Sequence, residues 1–346
     1  MNNNPQPLLS VRDLKTYFLM DEGVVKAVDG VTFDVSAGQI FGIVGESGCG
    51  KSVTMKAVLR IVEHPGKIVG GEILLRRTSK QNASSGDEVI DLAKLDANGK
   101  AMRSIRGAEI ALIPQEPMSA FSPVHTIGDQ IIEAIMLHQP VNQREGRKIA
   151  LQILKDVGIP IPEQRLDEYS WQLSGGLRQR AIIAMALSCN PRLLIADEPT
   201  TAVDVTTQAQ VLRLLRGLQE DRNAAIIFIT HDLGVIAQMA SFVMVMYLGL
   251  VMEQGPVDAI FHSPKHPYTQ ALLRSIPDVN STSHVTLPTI SGSIPHPFNK
   301  PRGCPFHPRC VKFMPGKCDV RTPTLQTIGD NQLVSCFLYH DEEVPA

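Results

Sequence analysis

The chain has 346 residues, a formal net charge of −2 and 43% hydrophobic residues, which suits one large globular domain and a smaller one. Lysine and arginine together number 33, against 35 aspartate and glutamate residues. Proteins that bind nucleic acids nonspecifically carry an excess of basic residues, and this chain has no such excess. We therefore expect no nucleic-acid partner.

The beginning of the sequence lacks the charged and apolar regions of a secretory signal, and the longest apolar run, residues 242–252, is too short to cross a bilayer. We therefore expect a cytosolic chain. Short β-rich runs then alternate with turns over the first hundred residues. These runs lie at residues 8–11, 31–35, 40–44 and 71–75. Residues 78–100 are polar, which predicts a solvated surface loop.

A glycine-rich segment, Gly-Glu-Ser-Gly-Cys-Gly-Lys-Ser at residues 45–52, separates the third run from a helical pattern that begins near Ser52. It matches the phosphate-binding loop (P-loop) pattern in the required strand-loop-helix context. Lys51 neutralises the β- and γ-phosphates, and the Ser52 hydroxyl can ligate Mg²⁺. We interpret Cys49 as a tolerated small side chain. The loop residues predicted to contact ATP are Gly45, Ser47, Gly48, Gly50, Lys51, Ser52 and Val53.

Apolar residues have helical spacing from residue 126 to about 157, with a polar interruption at 139–147, and a second helix is predicted from Ser174 to Ser188. Three elements then repeat the strand-then-helix order. They are a buried strand at 193–196, a helix at 207–221 and a buried strand at 225–230. This alternation predicts a parallel α/β architecture.

Two carboxylates end the first of these strands, in Leu-Leu-Ile-Ala-Asp-Glu at residues 193–198. This is the Walker B arrangement, with the acids at the carboxyl end of a buried parallel strand. Asp197 is predicted to hold the metal, and Glu198 to orient and deprotonate the attacking water. A simple helix-capping role is weakened because Pro199 follows.

A second candidate anion site lies in Leu-Ser-Gly-Gly-Leu-Arg-Gln-Arg at residues 173–180. Ser174 has the character of a helix N-cap, and Gly175 and Gly176 leave backbone N–H groups exposed at the helix start. The P-loop of the same chain has no need of this site. The segment therefore indicates a second copy that supplies the nucleotide.

These residues resemble the signature motif of the ABC transporter ATPases, which closes over the ATP of the opposite subunit. Gln115 resembles the Q-loop glutamine, residues 201–204 the D-loop, and His231 the switch histidine, over about residues 8–255. The resemblance implies that Gln115 and His231 act with Glu198 in hydrolysis, and that Gln115 joins Ser52 and Asp197 as Mg²⁺ ligands. It also implies nucleotide contacts across the dimer from Ser174, Gly175, Gly176 and Gln179.

One aromatic residue resembles the adenine-stacking aromatic of this family. Phe18 fits best and Tyr17 is the alternative, because the spacing through residues 21–25 leaves the choice open. An ordinary core aromatic is a third interpretation.

Beyond Gly255 the chain becomes rich in proline and histidine, and it carries Cys304, Cys310, Cys318 and Cys336 at intervals of five, seven and seventeen residues. Such a set suits a Cys₄ centre with zinc or an iron–sulfur cluster, although the paired knuckles of structural zinc are absent from the sequence. The block resembles the C-terminal extension of the oligopeptide/dipeptide importer ATPases, which implies a [4Fe–4S] cluster. Zinc and buried thiols remain alternatives, and His307 is interpreted as a turn residue.

The predicted fold is an α/β P-loop ABC ATPase cassette at residues 1–255, with a helical subdomain at about 116–190 and a small Cys-rich extension at 256–346. The resemblance implies an ATP-hydrolysing importer subunit that powers peptide uptake. It also implies a second, homologous ATPase subunit, two transmembrane permeases, an extracytoplasmic solute-binding protein, and a peripheral position on the cytoplasmic face of the inner membrane.

Three alternatives differ in class. The same motor could serve an importer of nickel or an oligosaccharide, since no residue here contacts the solute. A translation or DNA-repair ATPase of the family would carry tandem cassettes or a long heptad insertion, and the sequence has neither. A metal-dependent regulator with a vestigial site is disfavoured because Glu198 and His231 are both present.

Overall fold

The computed structural model describes residues 6–77, 88–116, 120–201, 204–276, 290–329 and 331–340. The chain divides into two compact units. The helical unit comprises residues 6–8, Val35–Ile40 and Lys94–Ile229. The P-loop unit comprises Leu9–Asp34, Phe41–Ala93 and the described residues from Thr230 onward.

The described strands and helices have the following bounds. The strands are β1 (Leu9–Met20), β2 (Gly23–Val35), β3 (Ile40–Val44), β4 (Gly66–Arg77), β5 (Glu88–Asp91), β6 (Ile110–Ile113), β7 (Leu193–Asp197), β8 (Ala225–Ile229), β9 (Phe242–Tyr247), β10 (Leu250–Pro256), β11 (Gln326–Ile328) and β12 (Gln332–Val334). The helices are α1 (Lys51–Val58), α2 (Lys100–Ile105), α3 (Ile127–His138), α4 (Gln143–Asp156), α5 (Pro162–Arg165), α6 (Gly175–Leu187), α7 (Val205–Arg222), α8 (Leu233–Met239), α9 (Val257–His262) and α10 (Pro267–Arg274).

A four-stranded sheet of the P-loop unit has the order β2-β1-β4-β5. Strands β1 and β4 are antiparallel, from Leu9 opposite Leu75 to Phe18 opposite Gly66. The prediction of a plain loop over residues 78–100 is wrong for its later part, because β5 pairs with β4 and α2 begins at Lys100. Polar composition concealed β5, whose side chains are exposed or half-buried. Residues 78–87 lie outside the described ranges.

A second set of strands in the P-loop unit positions the P-loop. Strand β3 is fully buried and runs parallel to β9, from Phe41 opposite Phe242 to Val44 opposite Val245. The P-loop follows the carboxyl end of β3, where ligand sites of parallel sheets form. The C-terminal segment joins the same strands, since β12 pairs with β10 through Val334 opposite Glu253.

The helical unit contains the parallel strands β6, β7 and β8, with β7 in the middle. All five residues of β7 and of β8 are buried, which explains their continuous apolar sequences. The predicted buried strands, and the α/β class with them, are confirmed.

Helices α3, α4 and α6 of this unit begin at side-chain caps. Thr126 and Asp129 form a capping box at α3, Asn142 and Glu145 form another at α4, and Ser174 caps α6. Helix α4 packs against both α3 and α6. The predicted interruption is real but shorter, because α4 starts at residue 143. None of the helices in the described ranges has the length and apolar character needed to span a bilayer.

The predicted domain boundary near Gly255 stays a prediction. Gly255 itself lies within β10, opposite Val243 of β9.

Candidate active site

The P-loop bends tightly against its own unit, and glycine is required at both ends of the bend. Gly45 has a φ of 152°, and a Cβ atom there would lie 2.3 Å from the Met246 carbonyl oxygen. Gly50 has a φ of 104°, and its Cβ would lie 2.3 Å from the Ala27 carbonyl oxygen. Neither the backbone conformation nor the space admits a side chain. The glycine spacing therefore reflects a real steric demand.

Lys51 is the first residue of α1 and is only 6% exposed. Its Nζ donates hydrogen bonds to the carbonyl oxygens of Gly45 at 2.7 Å and Glu46 at 3.2 Å. The ammonium group is thus held inside the loop among oxygen acceptors. Phosphate oxygens bound in the loop would compete for the same donor.

Cys49 lies in the loop as a buried thiol, 2% exposed. Burial raises its pKa above the ordinary thiol value, and the opposing effect of Lys51 is smaller. The protonated thiol packs as a small apolar side chain, as the sequence interpretation has it.

Glu198 follows β7 in a left-handed backbone conformation with a φ of 48°. Its N–H donates to the Ile229 carbonyl oxygen at 2.9 Å. Its Oε2 accepts hydrogen bonds from Gln115 Nε2 at 3.2 Å and Thr201 Oγ1 at 2.9 Å. Two predicted catalytic residues are therefore in direct contact. The strained backbone and convergent donors fix the carboxylate direction, which suits a residue that orients water.

The Thr201 contact was missed from the sequence, where this threonine is only the first residue of the D-loop. A hydroxyl three residues after an acidic residue is a recognisable local signal, since such spacing allows a side-chain contact within a turn. Asp197, at the end of β7, is 8% exposed. Residues 202 and 203 of the D-loop lie outside the described ranges.

The signature segment has an exposed start and a buried continuation. Ser174 and Gly175 are exposed, and the Ser174 Oγ accepts a hydrogen bond from the Leu177 N–H at 3.4 Å. A Cβ on Gly176 would contact Thr207 at 3.2 Å. Gln179 is 1% exposed. Its Nε2 donates a hydrogen bond to the carbonyl oxygen of Pro199, which follows β7, at 2.8 Å. Gln179 therefore anchors α6, and its predicted nucleotide contact stays a prediction.

His231 is an exposed residue between two capping groups. The Thr230 Oγ1 accepts a hydrogen bond from the Asp232 N–H at 3.0 Å, and Asp232 Oδ1 accepts from the N–H groups of Gly234 and Val235 at the start of α8. The imidazole thus projects from a short segment fixed on both sides.

The adenine-stacking residue is not decided by the geometry. Phe18 is half-buried at the end of β1, beside Gly66. Tyr17 donates its hydroxyl to Asp29 Oδ1, and burial together with this hydrogen bond raises the pKa of Tyr17 to about 12. The choice of Phe18 stays a prediction.

The four tail cysteines line one cavity of about 10 Å³. All four are free thiols, and Cys310 is the most exposed of them. Burial raises the pKa of Cys304 to about 12 and of Cys336 to about 11, with neighbouring thiols as a further cause. Within the described ranges, no group of three or more histidine, cysteine, aspartate or glutamate side chains is arranged to hold a metal ion.

Glu46, the second residue of the P-loop, is held by residues far away in the sequence. Its carboxylate forms a bidentate ion pair with Arg309, and its N–H donates to the Tyr268 hydroxyl at 3.1 Å. No sequence pattern relates positions separated by 263 residues, so these partners were missed.

A buried P-loop lysine, a paired-acid strand with an oriented glutamate, and a capped glycine pair at a helix start define a nucleotide-hydrolysing P-loop cassette. Comparison with known proteins shows to which family within this class the chain belongs. The family model described as ABC transporter matches residues 28–201, and the model described as Oligopeptide/dipeptide transporter, C-terminal region, matches residues 252–318.

The relatives cover nearly the whole chain. The chain is 45% identical to the Probable peptide ABC transporter ATP-binding protein y4tR of Sinorhizobium fredii, with 97% of each chain covered. It is 46% identical to the Oligopeptide transport ATP-binding protein AppD of Bacillus subtilis, with 97% of this chain and 98% of that protein covered.

Among solved structures, the ATP-binding cassette MJ0796, in a dimeric post-hydrolysis state bound to ADP and Pi, matches with a TM-score of 0.62 and 25% identity. The match covers 72% of this chain and 98% of that one. The chain belongs to the ABC transporter family, as an ATP-binding subunit with the oligopeptide/dipeptide C-terminal region. The predicted fold and the predicted ATPase class are confirmed.

Proposed function

We propose that this chain hydrolyses ATP to power the uptake of peptides through separate permease subunits. The observation that carries the proposal is the presence, in one chain, of the ATP-binding cassette and the oligopeptide/dipeptide C-terminal region. Relatives named for peptide and oligopeptide transport match along almost the full length. The proposed domain division follows the same pattern, with the cassette at residues 1–255, the helical subdomain at about 116–190 and the extension at 256–346.

We assign the roles in ATP binding and hydrolysis to residues described above. Lys51 neutralises the β- and γ-phosphates, with the glycines of the P-loop supplying backbone N–H donors. Glu198 takes the proton of the attacking water while Gln115 and Thr201 hold its Oε2. His231 contacts the γ-phosphate. Phe18 stacks on adenine.

Mg²⁺ would offset phosphate charge in this reaction. Its assigned ligands are Ser52, Asp197 and Gln115, which supply the oxygen donors that Mg²⁺ prefers. Gln115 donates its Nε2 to Glu198, so the amide oxygen is the atom we assign to the metal.

We propose that the signature segment binds the nucleotide of a second cassette. The exposure of Ser174 and Gly175 supports this, because the first N–H groups of α6 face solvent there. MJ0796, a cassette of the same fold, is dimeric. A homologous but distinct ATPase subunit is the proposed partner, so that the assembled motor is a heterodimer.

Ser174→Arg tests this assignment. An arginine side chain at the helix start should block the partner's nucleotide and abolish ATPase activity of the assembled complex, while MgATP still binds to the P-loop of the variant chain. Gln164→Arg adds the same charge at an exposed position on α5 and should leave activity unchanged. Loss of the variant's own MgATP binding would contradict an intersubunit role.

We propose a [4Fe–4S] cluster bound by Cys304, Cys310, Cys318 and Cys336. Support comes from the shared cavity that these four side chains line. Within the described ranges, no group of these side chains is arranged to hold a metal ion, so zinc, with sulfur ligands at about 2.3 Å, stays the alternative. A cluster would bind each cysteine at a different iron. A cavity of about 10 Å³ has room for about one water molecule, so the cysteines would move apart on binding.

Anaerobic purification followed by iron, sulfide and zinc analysis and visible absorption tests the cluster. Cys318→Ser should lower the iron and sulfide content, whereas Cys189→Ser, outside the tail, should not. Stoichiometric zinc without visible absorption would contradict the cluster, and a metal-free protein would favour buried thiols.

The partners and location follow from the proposed role. Two permeases would form the channel, an extracytoplasmic binding protein would deliver the solute, and this chain would lie peripherally at the cytoplasmic face of the inner membrane. Reconstitution of the complex in proteoliposomes tests the function. We expect ATP-dependent accumulation of a labelled peptide, with Glu198→Gln as the inactive control. Uptake of nickel or an oligosaccharide instead of peptide would contradict the proposed substrate class.

A further inference from the structure

A partly buried ion pair between Arg309 and Glu46 links the tail to the P-loop. Arg309 Nη1 lies 2.7 Å from Glu46 Oε2, and Arg309 Nη2 lies 3.0 Å from Glu46 Oε1. The two hydrogen bonds form the parallel fork that makes arginine–carboxylate pairs specific in direction. The Arg309 side chain is 4% exposed and that of Glu46 is 21% exposed, so solvent screening of the pair is weak.

Two further donors of Arg309 are also engaged. Its Nη1 donates to the Tyr247 hydroxyl at 3.2 Å, and its Nε donates to the Ser291 carbonyl oxygen at 3.2 Å. The guanidinium carbon lies 5.8 Å from the centre of the Tyr247 ring. A guanidinium with this many partners has a fixed position, and it transmits that position to Glu46.

Glu46 is in turn attached to the phosphate-binding lysine. The Glu46 carbonyl oxygen accepts a hydrogen bond from Lys51 Nζ at 3.2 Å, and the Glu46 N–H donates to the Tyr268 hydroxyl at 3.1 Å. Side chain, carbonyl and N–H of this one residue are therefore all anchored. Glu46 is therefore the one residue that connects Arg309 to the ammonium group of Lys51.

An aromatic cluster supports both anchors. The rings of Tyr247 and Tyr268 have centroids 4.8 Å apart, and Phe306 packs against them at 5.5 Å and 5.2 Å. Phe306 is 1% exposed and lies in the same tail segment as Arg309, between Cys304 and Cys310. The segment that carries two of the four cysteines is therefore the one that packs under the P-loop.

We infer that Arg309 is a positioning residue for nucleotide binding: through Glu46 it fixes the P-loop in its phosphate-binding form, so that nucleotide affinity depends on the contact between Arg309 and Glu46. The inference rests on the proposed ATPase function and extends it to a residue far from the ATP motifs. A purely stabilising role accounts less well for the arrangement, because replacing a buried ion pair by apolar side chains is often neutral or favourable for stability. The two parallel hydrogen bonds from Arg309 fix the direction of the Glu46 carboxylate, which an apolar pair cannot do. A P-loop held in one conformation would require this fixed direction.

Arg309→Met in the full chain tests the inference by two measurements, the Kd for MgATP and the steady-state kinetics of the complex. We expect Kd and KM for ATP to rise about tenfold, within the usual range of coupling between linked sites, and kcat to stay within about twofold, because Glu198 and its donors are unaltered. Unchanged Kd and KM in a folded Arg309→Met protein would overturn the inference.

Two control variants separate positioning from loosening of the tail. Lys300→Met removes another partly buried tail ion pair, Lys300 Nζ to Asp29 Oδ2 at 3.2 Å, that does not contact the P-loop. Arg12→Met removes an exposed ion pair in the same unit, in which Arg12 Nη2 contacts both oxygens of Asp34. Neither should change the Kd for MgATP. An equal rise in Kd with Lys300→Met would contradict a specific role for Arg309.

The double variant Glu46→Met with Arg309→Met separates positioning from stability. An apolar pair should restore the melting temperature lost in the single variant, and a positioning role predicts that Kd stays raised. Recovery of both quantities would overturn the inference. Failure of peptide uptake by the wild-type complex would contradict the proposed function instead, because the inference is judged on the ratio of variant to wild-type Kd for MgATP.

Discussion

Two glutamates of the ATP motifs are held in different ways. The Glu46 carboxylate, in the P-loop unit, is paired with the cationic guanidinium of Arg309. The Glu198 carboxylate, in the helical unit, receives the neutral amide of Gln115 and the neutral hydroxyl of Thr201. The cationic fork of Arg309 contacts both carboxylate oxygens of Glu46, whereas the two neutral donors meet at Glu198 Oε2. The difference matches the loop-shaping role that we infer for Glu46 and the proton-accepting role that we propose for Glu198.

The largest effect on kcat is expected from replacing Glu198, the proposed proton acceptor. Glu198→Gln keeps the shape and the hydrogen bonding but removes the basic group, so we expect kcat to fall by about 10²–10⁴. MgATP binding should persist and a closed dimer should accumulate. Single-turnover hydrolysis and gel filtration with MgATP measure both effects. Normal turnover in the purified complex would contradict the assignment of Glu198.

A smaller effect on kcat is expected from the loss of the Thr201 hydroxyl, one of the two neutral donors to Glu198. Thr201→Val removes the hydroxyl that lies 2.9 Å from Glu198 Oε2 at nearly constant volume. A hydrogen bond to a charged group contributes about 1.5–3 kcal/mol, of which we expect about half in the transition state, or roughly a tenfold lower kcat. The KM for ATP should not change. A raised KM with a normal kcat would mean that Thr201 serves binding rather than orientation of Glu198.

Tyr268→Phe addresses the anchoring of Glu46. It removes the hydroxyl that accepts the Glu46 N–H, and the lost hydrogen bond should lower the free energy of unfolding by about 1 kcal/mol. Thermal or urea unfolding of the full chain measures this change. Because the Arg309 pair remains, we expect a smaller rise in the Kd for MgATP than Arg309→Met causes. The reverse order would make the backbone contact, and not the ion pair, the main anchor.

The smallest effect is expected from an exposed arginine–carboxylate pair, in which Arg12 Nη2 contacts both oxygens of Asp34. Arg12 and Asp34 also form two hydrogen bonds, but their side chains are 41% and 48% exposed. Arg12→Met should lower the free energy of unfolding by at most about 1 kcal/mol, and the difference should vanish at high salt. A larger loss, comparable with that of Arg309→Met, would show that burial does not distinguish the two pairs.

Local chemistry explains which features were predictable from the sequence. Lys51 follows a glycine loop between a buried strand and a helix, and each of these signals lies within a few residues. The same holds for the cap of α6 at Ser174 and for the acids that end β7. Strand β5 was missed because its pairing with β4, rather than apolar spacing, decides its conformation.

The partners of Glu46 could not be predicted for a different reason. Arg309 lies between Cys304 and Cys310 and Tyr268 lies in the proline- and histidine-rich stretch, and no pattern around either residue points to the P-loop. Tertiary packing brings both to the P-loop, and no periodicity or spacing in one sequence encodes such a contact. The buried state of Gln179 was hidden likewise, since its bond to the Pro199 carbonyl depends on how α6 packs.

The separation of Glu46 and Arg309 by 263 residues has a consequence for biosynthesis. At about 5–20 residues per second, the ribosome adds Arg309 roughly 15 to 50 seconds after Glu46. During that interval the nascent P-loop has no guanidinium partner, and closing so long a loop is slow. On the inference above, a chain truncated before Arg309 would carry every ATP motif and bind MgATP more weakly, so full nucleotide affinity would follow only after residue 309 is translated.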